Sequence, residues 1–171
     1  RSGEMHQFPA GTYFGASPHI RFFDESGASY DSRRNRMVVF GGGHNDYAGN
    51  EIMVFDIESL RWMRINDPSP RIDRAGLTER SGYYPDANGN PDLQQPRSRH
   101  SYWSQIHVPT IDRYCAISAF GTYPTGLGAS HVDCFDFATK LWSQKQDAPN
   151  AGGLLTSTFD PSTNRVWVMG N

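Results

Sequence analysis

A seven-residue pattern occurs three times in this chain, and each copy ends in an arginine that leads into an apolar run. The copies are Tyr30-Asp-Ser-Arg-Arg-Asn-Arg36, His107-Val-Pro-Thr-Ile-Asp-Arg113 and Phe159-Asp-Pro-Ser-Thr-Asn-Arg165. Two of them continue into a second shared block, Phe55-Asp-Ile-Glu-Ser-Leu-Arg-Trp62 and Phe135-Asp-Phe-Ala-Thr-Lys-Leu-Trp142. This recurrence indicates about two and a half copies of a supersecondary unit that buries its apolar faces only against neighbouring copies.

The segments between these patterns predict β-structure. They are short, rich in β-branched and aromatic residues, bounded by Gly, Asn, Asp and Pro, and without an extended apolar period of 3.6 residues. We therefore expect very little helix. The predicted strands are 27–30, 36–41, 51–56 and 61–66 in the first copy, 101–107, 113–118, 131–136 and 141–145 in the second, and 154–159 and 165–170 in the third. Four short antiparallel strands per copy are typical of a propeller blade.

Three features resemble kelch repeats, the blades of kelch-type and galactose-oxidase-like β-propellers. Gly41-Gly42-Gly43 follows the second strand, an aromatic residue precedes a Trp in the second block, and the first turn ends in Asn-Arg. The resemblance implies an all-β fold of four-stranded antiparallel blades in an incomplete propeller. It covers most of residues 27–171, although Ser118-Ala119 replaces the glycine pair in the second copy. It leaves function open, because kelch proteins include oxidases, lyases, mutarotases and binding scaffolds.

The residues of the second block receive structural roles. Trp62 and Trp142 fall on the outermost strands, where we expect their rings to pack in the gap between adjacent blades. Asp56 and Asp136 are expected to open tight turns.

On this interpretation the chain divides into five parts. They are the N-terminal segment 1–26, which either stands apart or belongs to a preceding blade, blade one (27–66), a long connector (67–98), blade two (99–147) and the first half of blade three (148–171). A propeller closes with at least about four blades. We therefore expect further blades of the same protein, or another chain, to complete the third blade. Without them the strand 165–170 would expose an apolar edge, and the chain by itself should aggregate or form oligomers.

Charge and hydropathy argue against two kinds of partner. The net charge is −2, with 16 Lys and Arg against 18 Asp and Glu and no long run of either sign, which argues against nucleic acid as a partner. No apolar stretch approaches the ~18 residues that a membrane-spanning helix needs. Cys115 and Cys134 fall on adjacent predicted strands, where a disulfide and a reduced buried pair both remain open. The compartment is not fixed, and an extracellular, virion-surface or cell-surface location is the one we favour.

The long segments of the repeats are expected at one end of the blades. In an up-and-down blade, the loop between strands two and three and the connector to the next blade emerge at the same end. Segments 42–50, 119–130 and 67–98 should therefore form one binding surface. Its candidate ligand-binding residues are His44, Asn45, Asp46, Tyr47, Arg97, Arg99, His100 and Tyr123, with His131 nearby. Such a mixture suits sugar hydroxyls, while the alternative is that His44 and Asp46 bond only loop backbone and His100 is structural.

No resident cofactor is predicted. Asp86, Asn88, Asn90 and Asp92 place oxygen atoms at alternate positions, as in the first half of a calcium loop. Pro91 and Arg97 stand where such a loop needs Gly and Glu, so an exposed Asn-Gly turn is the alternative. Resemblance to galactose-oxidase-like enzymes would imply copper and a Tyr-Cys crosslink. Tyr114 and Cys115 cannot supply that crosslink to each other, since sequence neighbours point to opposite faces of a strand.

Two functions follow from the resemblance and these residues. The first is a kelch-type module that binds a protein or a glycan through the long-loop surface, as part of a larger assembly. The second is a carbohydrate-active enzyme, such as a polysaccharide lyase or a galactose-oxidase-like oxidase. Its base, and an arginine that neutralises a uronate, would come from His44, Tyr47, Arg97, Arg99 and His100. We prefer the binding module, because almost any propeller could fill those enzymatic roles, and no residue is assigned as catalytic.

Overall fold

The computed structural model describes residues 27–41, 49–69, 83–84, 95–122, 127–143, 146–147 and 155–170. Every regular element in these ranges is a β-strand. Among the same residues, no helix has the length and the apolar character required to span a membrane. The predicted all-β class is confirmed. The N-terminal segment 1–26 lies outside the described residues.

The first copy of the repeat folds into a four-stranded antiparallel blade. Its strands pair in chain order and are β1 (Ser29–Asp31), β2 (Arg36–Phe40), β3 (Ile52–Asp56) and β4 (Arg61–Arg64). Strands β2 and β3 are continuous apolar runs that are largely buried, as expected for central strands covered on both faces. The predicted bounds of all four strands agree with the structure to within two residues.

Five short turns lie at one end of the blades, which we call the turn end. The last residue of each turn has a positive φ, and these residues are Asn35 (50°), Leu60 (56°), Asp112 (52°), Lys140 (58°) and Asn164 (54°). Asn and Asp occupy this left-handed region more readily than other L-residues, because their short polar side chains bond nearby backbone. The Asn-Arg or Asp-Arg that ends each copy of the repeated pattern therefore marks the point where a turn leads into the second strand.

The aspartates that open these turns accept hydrogen bonds from the turn backbone. Asp56 Oδ1 accepts from the Ser59 N–H at 2.7 Å, and Asp136 Oδ1 accepts from the Ala138 N–H at 2.9 Å. The predicted structural role of both aspartates is confirmed.

The second copy forms a blade whose inner and outer strands are both broken. A central hairpin of β9 (Arg113–Thr122) and β10 (Leu127–Asp136) pairs on one side with β7 (Arg99–His100) and β8 (Gln105–Val108), and on the other with β11 (Leu141–Trp142) and β12 (Gln146–Asp147). Two predictions were wrong here. Residues 101–107 are not one strand, because the chain leaves the ladder between His100 and Gln105. Residues 119–130 are not one long loop, because the hairpin ladder continues through 119–122 and 127–130, where it satisfies backbone groups.

The third copy contributes one hairpin, β13 (Leu155–Asp160) with β14 (Arg165–Gly170). A separate pair, β5 (Tyr83–Tyr84) with β6 (Gln95–Pro96), lies within the predicted connector. The first strands of the three copies, β1, β8 and β13, lie side by side, as the innermost strands of neighbouring blades do. The described residues thus form propeller-like blades, and they do not close into a ring.

The first two blades enclose a shared apolar core. It consists of Val38, Phe40, Ile52 and Val54 from the first blade and Tyr114, Ala116, Phe135 and Phe137 from the second. Trp142 packs against it, with its ring centroid 4.7 Å from that of Phe40 in the other blade and 5.4 Å from that of Phe135 in its own. Fully burying a large apolar side chain contributes about 1.5–3 kcal/mol, and the partly buried Trp142 gains a share of that. The predicted packing of Trp142 between adjacent blades is confirmed.

Trp62, the equivalent residue of the first blade, is also a packing residue. Its ring centroid lies 5.1 Å from that of Phe55, and the side chain covers Val39 and Met53.

Cys115 and Cys134 form a disulfide across the central hairpin of the second blade. They are direct partners on β9 and β10, with Cα atoms 4.0 Å apart. Of the two states that the sequence leaves open, the structure has the bonded one.

Candidate binding surface at the loop end

The end of the blades opposite the turn end carries the longer connections, and we call it the loop end. Strand β2 leaves the first blade there through Gly41. This residue has a φ of 79°, and a Cβ atom on it would lie 2.4 Å from the carbonyl oxygen of Arg99. Only glycine fits both the dihedral angle and the close approach. Gly41 therefore allows the Arg99 backbone, at the start of the second blade, to pack directly against the end of β2.

Asn50 anchors the connector between the blades. Its side chain is fully buried, and its Nδ2 donates to Ser69 Oγ at 3.0 Å and to the Pro96 carbonyl at 3.1 Å. Its Oδ1 accepts from the Ser69 N–H at 2.9 Å. One amide thus holds both ends of the connector against the first blade.

Asn66 makes a second anchor of the same kind. Its Oδ1 accepts from the Ile52 N–H at 2.8 Å, and its Nδ2 donates to Gln95 Oε1 at 2.5 Å. Gln95 Nε2 in turn donates to the Asp67 carbonyl at 3.1 Å. Because a side-chain amide both donates and accepts, these two asparagines fix the first and last described residues of the connector.

Among the described residues, four charged side chains are buried beneath the loop end, namely Glu51, Arg97, Arg99 and Asp133. The Arg99 Nη2 donates to Asp133 Oδ2, and the Arg99 guanidinium lies 5.8 Å from the centre of the Phe40 ring. A buried charge is tolerated only with a well-placed partner, since its desolvation costs several kcal/mol, roughly. Arg99 is therefore held by the protein, and a ligand would have to compete with Asp133 for it.

An aromatic row lies where the inner strand of the second blade is broken. The His100 and Tyr102 rings meet edge to face with centroids 5.8 Å apart, and the Tyr102 and Trp103 centroids are 6.1 Å apart. Tyr102 has a φ of 38°, which is uncommon for an aromatic residue. His100 and Tyr102 are half-buried, whereas Trp103 is exposed.

Three of the predicted ligand-binding residues are described by the structure, and they lie in the single segment 97–100. Arg97 and Arg99 are buried and His100 is half-buried, while His131 lies half-buried on β10. The others lie outside the described residues: His44, Asn45, Asp46, Tyr47 and Tyr123, together with the calcium candidates Asp86, Asn88, Asn90 and Asp92. Sequence reasoning missed the two asparagine anchors and the aromatic row. The adjacent aromatics Tyr102 and Trp103 inside a predicted strand were the available signal for the row.

The turn end, in contrast, consists of contacts between blades. Arg34 donates to both carboxylate oxygens of Asp112, at 2.7 Å and 2.5 Å. Thr110 Oγ1 donates to Asn164 Oδ1 at 2.7 Å. The inner turn of each blade is thus bonded to the inner turn of the next.

A three-residue cluster at the turn end has the ligand types of a metal site. The His107 Nε2 lies 3.5 Å from Asp31 Oδ1 and 3.4 Å from Asp112 Oδ1. However, Asp31 Oδ2 already accepts from Arg34 at 3.1 Å and from Arg36 at 2.8 Å. These arginines supply the positive charge that a metal ion would bring. We therefore interpret the cluster as a contact that joins the first blade to the second.

The arginine contacts also control the ionisation of both carboxyl groups. Burial raises the pKa of Asp31, but the hydrogen bond from Arg36, the electrostatic interaction with His107 and the hydrogen bond from Arg34 together outweigh it and leave the pKa below its usual value. The hydrogen bond from Arg34 holds the pKa of Asp112 well below its usual range, against a smaller effect of burial. Both groups are therefore carboxylates at neutral pH.

Neither a protein-family model nor a curated protein sequence matches this chain.

Proposed function

We propose that the protein is a kelch-type β-propeller module that binds a protein or a glycan through its loop end, as part of a larger assembly. The observation that carries the proposal is the contrast between the two ends of the blades. At the turn end, Arg34 bonds Asp112 and Thr110 bonds Asn164 across the blades. At the loop end, buried amides fix the bases of long connections.

The construction of the loop end supports a binding role. Burying Asn50 and the Arg99–Asp133 pair costs desolvation energy that apolar residues at the same positions would avoid. What these groups achieve is a fixed position for the residues at which the long connections begin and end. Binding residues are found disproportionately on loops that a rigid scaffold positions. Buried polar anchors of this kind are therefore expected beneath a recognition surface.

A further part of the proposal concerns what covers the third blade. At the middle of the second strand, Val38 is 0% exposed, and the equivalent Trp167 is 53% exposed. Two residues later, Phe40 is 1% exposed, and the equivalent Met169 is 70% exposed. The apolar pattern is the same in both strands, so burial depends on the neighbouring strands and blades.

We infer that additional strands pair with β14 and that a further blade packs on it. Among the described residues, β14 pairs with β13 alone. An apolar strand edge is a template for another strand, supplied here by the same protein or by a second chain. In light scattering, the purified chain alone should self-associate, and Met169→Lys should reduce that association. A monodisperse monomer with a cooperative melt would contradict the inference.

The binding proposal is tested by comparing variants at the two ends. The labelled chain is screened against arrayed glycans and candidate surface proteins, and the best ligand is then titrated. His44→Ala and Tyr47→Ala, in the predicted binding loop, should weaken binding and leave the melting temperature nearly unchanged. Glu58→Ala, an exposed residue of a turn at the other end, is the control. Weaker binding in the control with no effect of the two loop variants would place recognition at the turn end and overturn the proposal.

A further inference from the structure

We propose that Trp103, backed by Tyr102 and His100, is an aromatic platform that stacks against a sugar ring. This inference rests on the proposed binding function and narrows the ligand to a glycan. It also moves part of the site from the loops to the inner strand of the second blade.

The backbone at the platform departs from regular strand geometry. Tyr102 has a φ of 38°, and a non-glycine residue held in this region costs about 1–2 kcal/mol. A tight turn holds the segment, since the Ser104 N–H and Oγ both bond the Ser101 carbonyl, at 2.9 Å and 2.7 Å. The break in the strand removes Tyr102 and Trp103 from the ladder of the second blade. A continuous strand would avoid the strain but would not place the two rings side by side.

The neighbouring elements hold this conformation from both sides. On the side of the first blade, a Cβ atom on Gly27 would lie 1.6 Å from the Tyr102 carbonyl oxygen, so that glycine makes room for it. On the side of the third blade, the Trp103 carbonyl accepts from the Ser157 N–H at 3.0 Å. Contacts with both neighbouring blades thus fix the backbone under the rings, which reduces the entropy lost on binding.

Exposure distinguishes Trp103 from the two packing tryptophans, Trp62 and Trp142. Trp62 packs against residues of its own blade, and Trp142 packs against the core that the first two blades share. Trp103 is 65% exposed, and its nearest described ring, Tyr102, is tilted by 37° against it. A large ring that is supported on one side and open on the other is the usual form of a stacking surface.

The surroundings of Trp103 favour a sugar over an apolar partner. The backbone of Trp103 forms an isolated parallel β-bridge with Thr156 on β13. The Thr156 side chain is exposed and carries a hydroxyl group. A sugar ring offers an apolar C–H face for the indole and hydroxyl groups for such a neighbour. At β14, by contrast, Trp167, Val168 and Met169 are exposed on one strand, an arrangement that suits another strand or blade. The two exposed tryptophans therefore differ in the kind of partner they fit.

The position of the platform joins it to the loop end. Ser101, two residues before Trp103, donates from its Oγ to the Phe40 carbonyl at 2.9 Å, where β2 ends. The platform thus lies on the innermost strand of the second blade, in the half that is nearer the loop end. A glycan that reaches it would enter from the loop end.

The test is a glycan array that carries neutral, uronate-containing and sialylated oligosaccharides, followed by calorimetric titration of the best-bound oligosaccharide. Trp103→Ala should weaken its binding by about tenfold or more, and Trp103→Phe should lose less. Tyr102→Gly relieves the dihedral strain but removes a half-buried ring, so it should change the melting temperature little and yet weaken binding. A role for Tyr102 in stability alone would not weaken binding by the folded chain. Trp167→Ala, an equally large exposed ring on β14, is the matched control and should bind as the unmodified chain does.

Three outcomes would overturn the platform. They are no binding to any arrayed glycan, unchanged affinity in Trp103→Ala, or unfolding of both Trp103 variants, which would make the ring a packing residue. If Trp103→Ala binds normally while His44→Ala and Tyr47→Ala bind weakly, the proposed function stands and the platform falls. If the chain binds a protein that carries no glycan, the proposed function again stands and the platform is overturned.

Discussion

Removing Asp133 should destabilise the protein strongly, because it would leave the Arg99 cation buried without its partner. Both side chains are essentially inaccessible, and the Arg99 Nη2 donates directly to Asp133 Oδ2. Removing one member of such a buried pair costs about 3–5 kcal/mol. The whole free energy of unfolding of a domain is about 5–15 kcal/mol. Asp133→Ala should therefore lose a large share of the stability, seen as a lower midpoint in urea unfolding.

Two further variants separate the charge effect from a general effect of mutation. Arg113 and Asp136 form a partly exposed pair, with Nε and Oδ2 3.3 Å apart. Arg113→Ala should cost only about 0–1 kcal/mol. The double variant Arg99→Met/Asp133→Leu removes both buried charges and should recover most of the loss, since apolar replacement of a buried pair is often neutral or stabilising.

A loss of less than about 1 kcal/mol in Asp133→Ala, similar to the Arg113 control, would refute this reasoning. It would mean that water or another group reaches the Arg99 guanidinium. Arg99 would then regain the role of an accessible ligand-binding residue that the sequence suggests.

Leu60→Gly should raise the free energy of unfolding by up to about 1 kcal/mol, because Leu60 is exposed with a φ of 56°; a loss in the same urea titration would contradict this. Reduction of Cys115–Cys134, whose residues are 19 apart, should lower stability by about 3 kcal/mol. An unreduced protein that takes up a thiol label after unfolding would show that the bond is absent. Since the pKa of Asp112 is lowered in the folded state, its stabilising effect is complete above the usual carboxyl range and is lost as pH falls. The stability difference between the unmodified chain and Asp112→Asn should therefore be largest near neutral pH and shrink below about pH 4, and a difference independent of pH would refute it.

The repeated pattern predicted the fold well because it marks backbone constraints. Asn35, Asp112 and Asn164 each occupy a left-handed position before a second strand, so the same letters recur at the same distance from each strand. The Phe-Asp block likewise marks the end of β3 or β10 and the turn after it. Where local chemistry fixes the backbone, strand bounds can be read from one sequence.

The candidate site was less predictable, because its contacts join residues that are far apart in the chain. Asn50 bonds Ser69 and Pro96, and nothing local to Asn50 identifies these partners. The break at Tyr102 is held by Gly27 of the first blade and Ser157 of the third. Arg99 was an attractive ligand-binding candidate because its partner Asp133 lies on another strand of the blade. Tertiary contacts of this kind override local preference and leave no spacing in the sequence.

Asp112 and Asn164, the left-handed residues of the second and third inner turns, carry a second function that explains their identity. Glycine would satisfy a positive φ at least as well as Asn or Asp. However, Asp112 accepts from Arg34 of the preceding blade, and Asn164 accepts from Thr110 of the preceding blade. Glycine could not accept these bonds, so a short polar side chain is the residue type that serves both requirements. At the outer turns the same conformation is taken by Leu60 and Lys140, which are exposed. The inner turns of the repeat therefore encode the contact between blades as well as the turn within each blade.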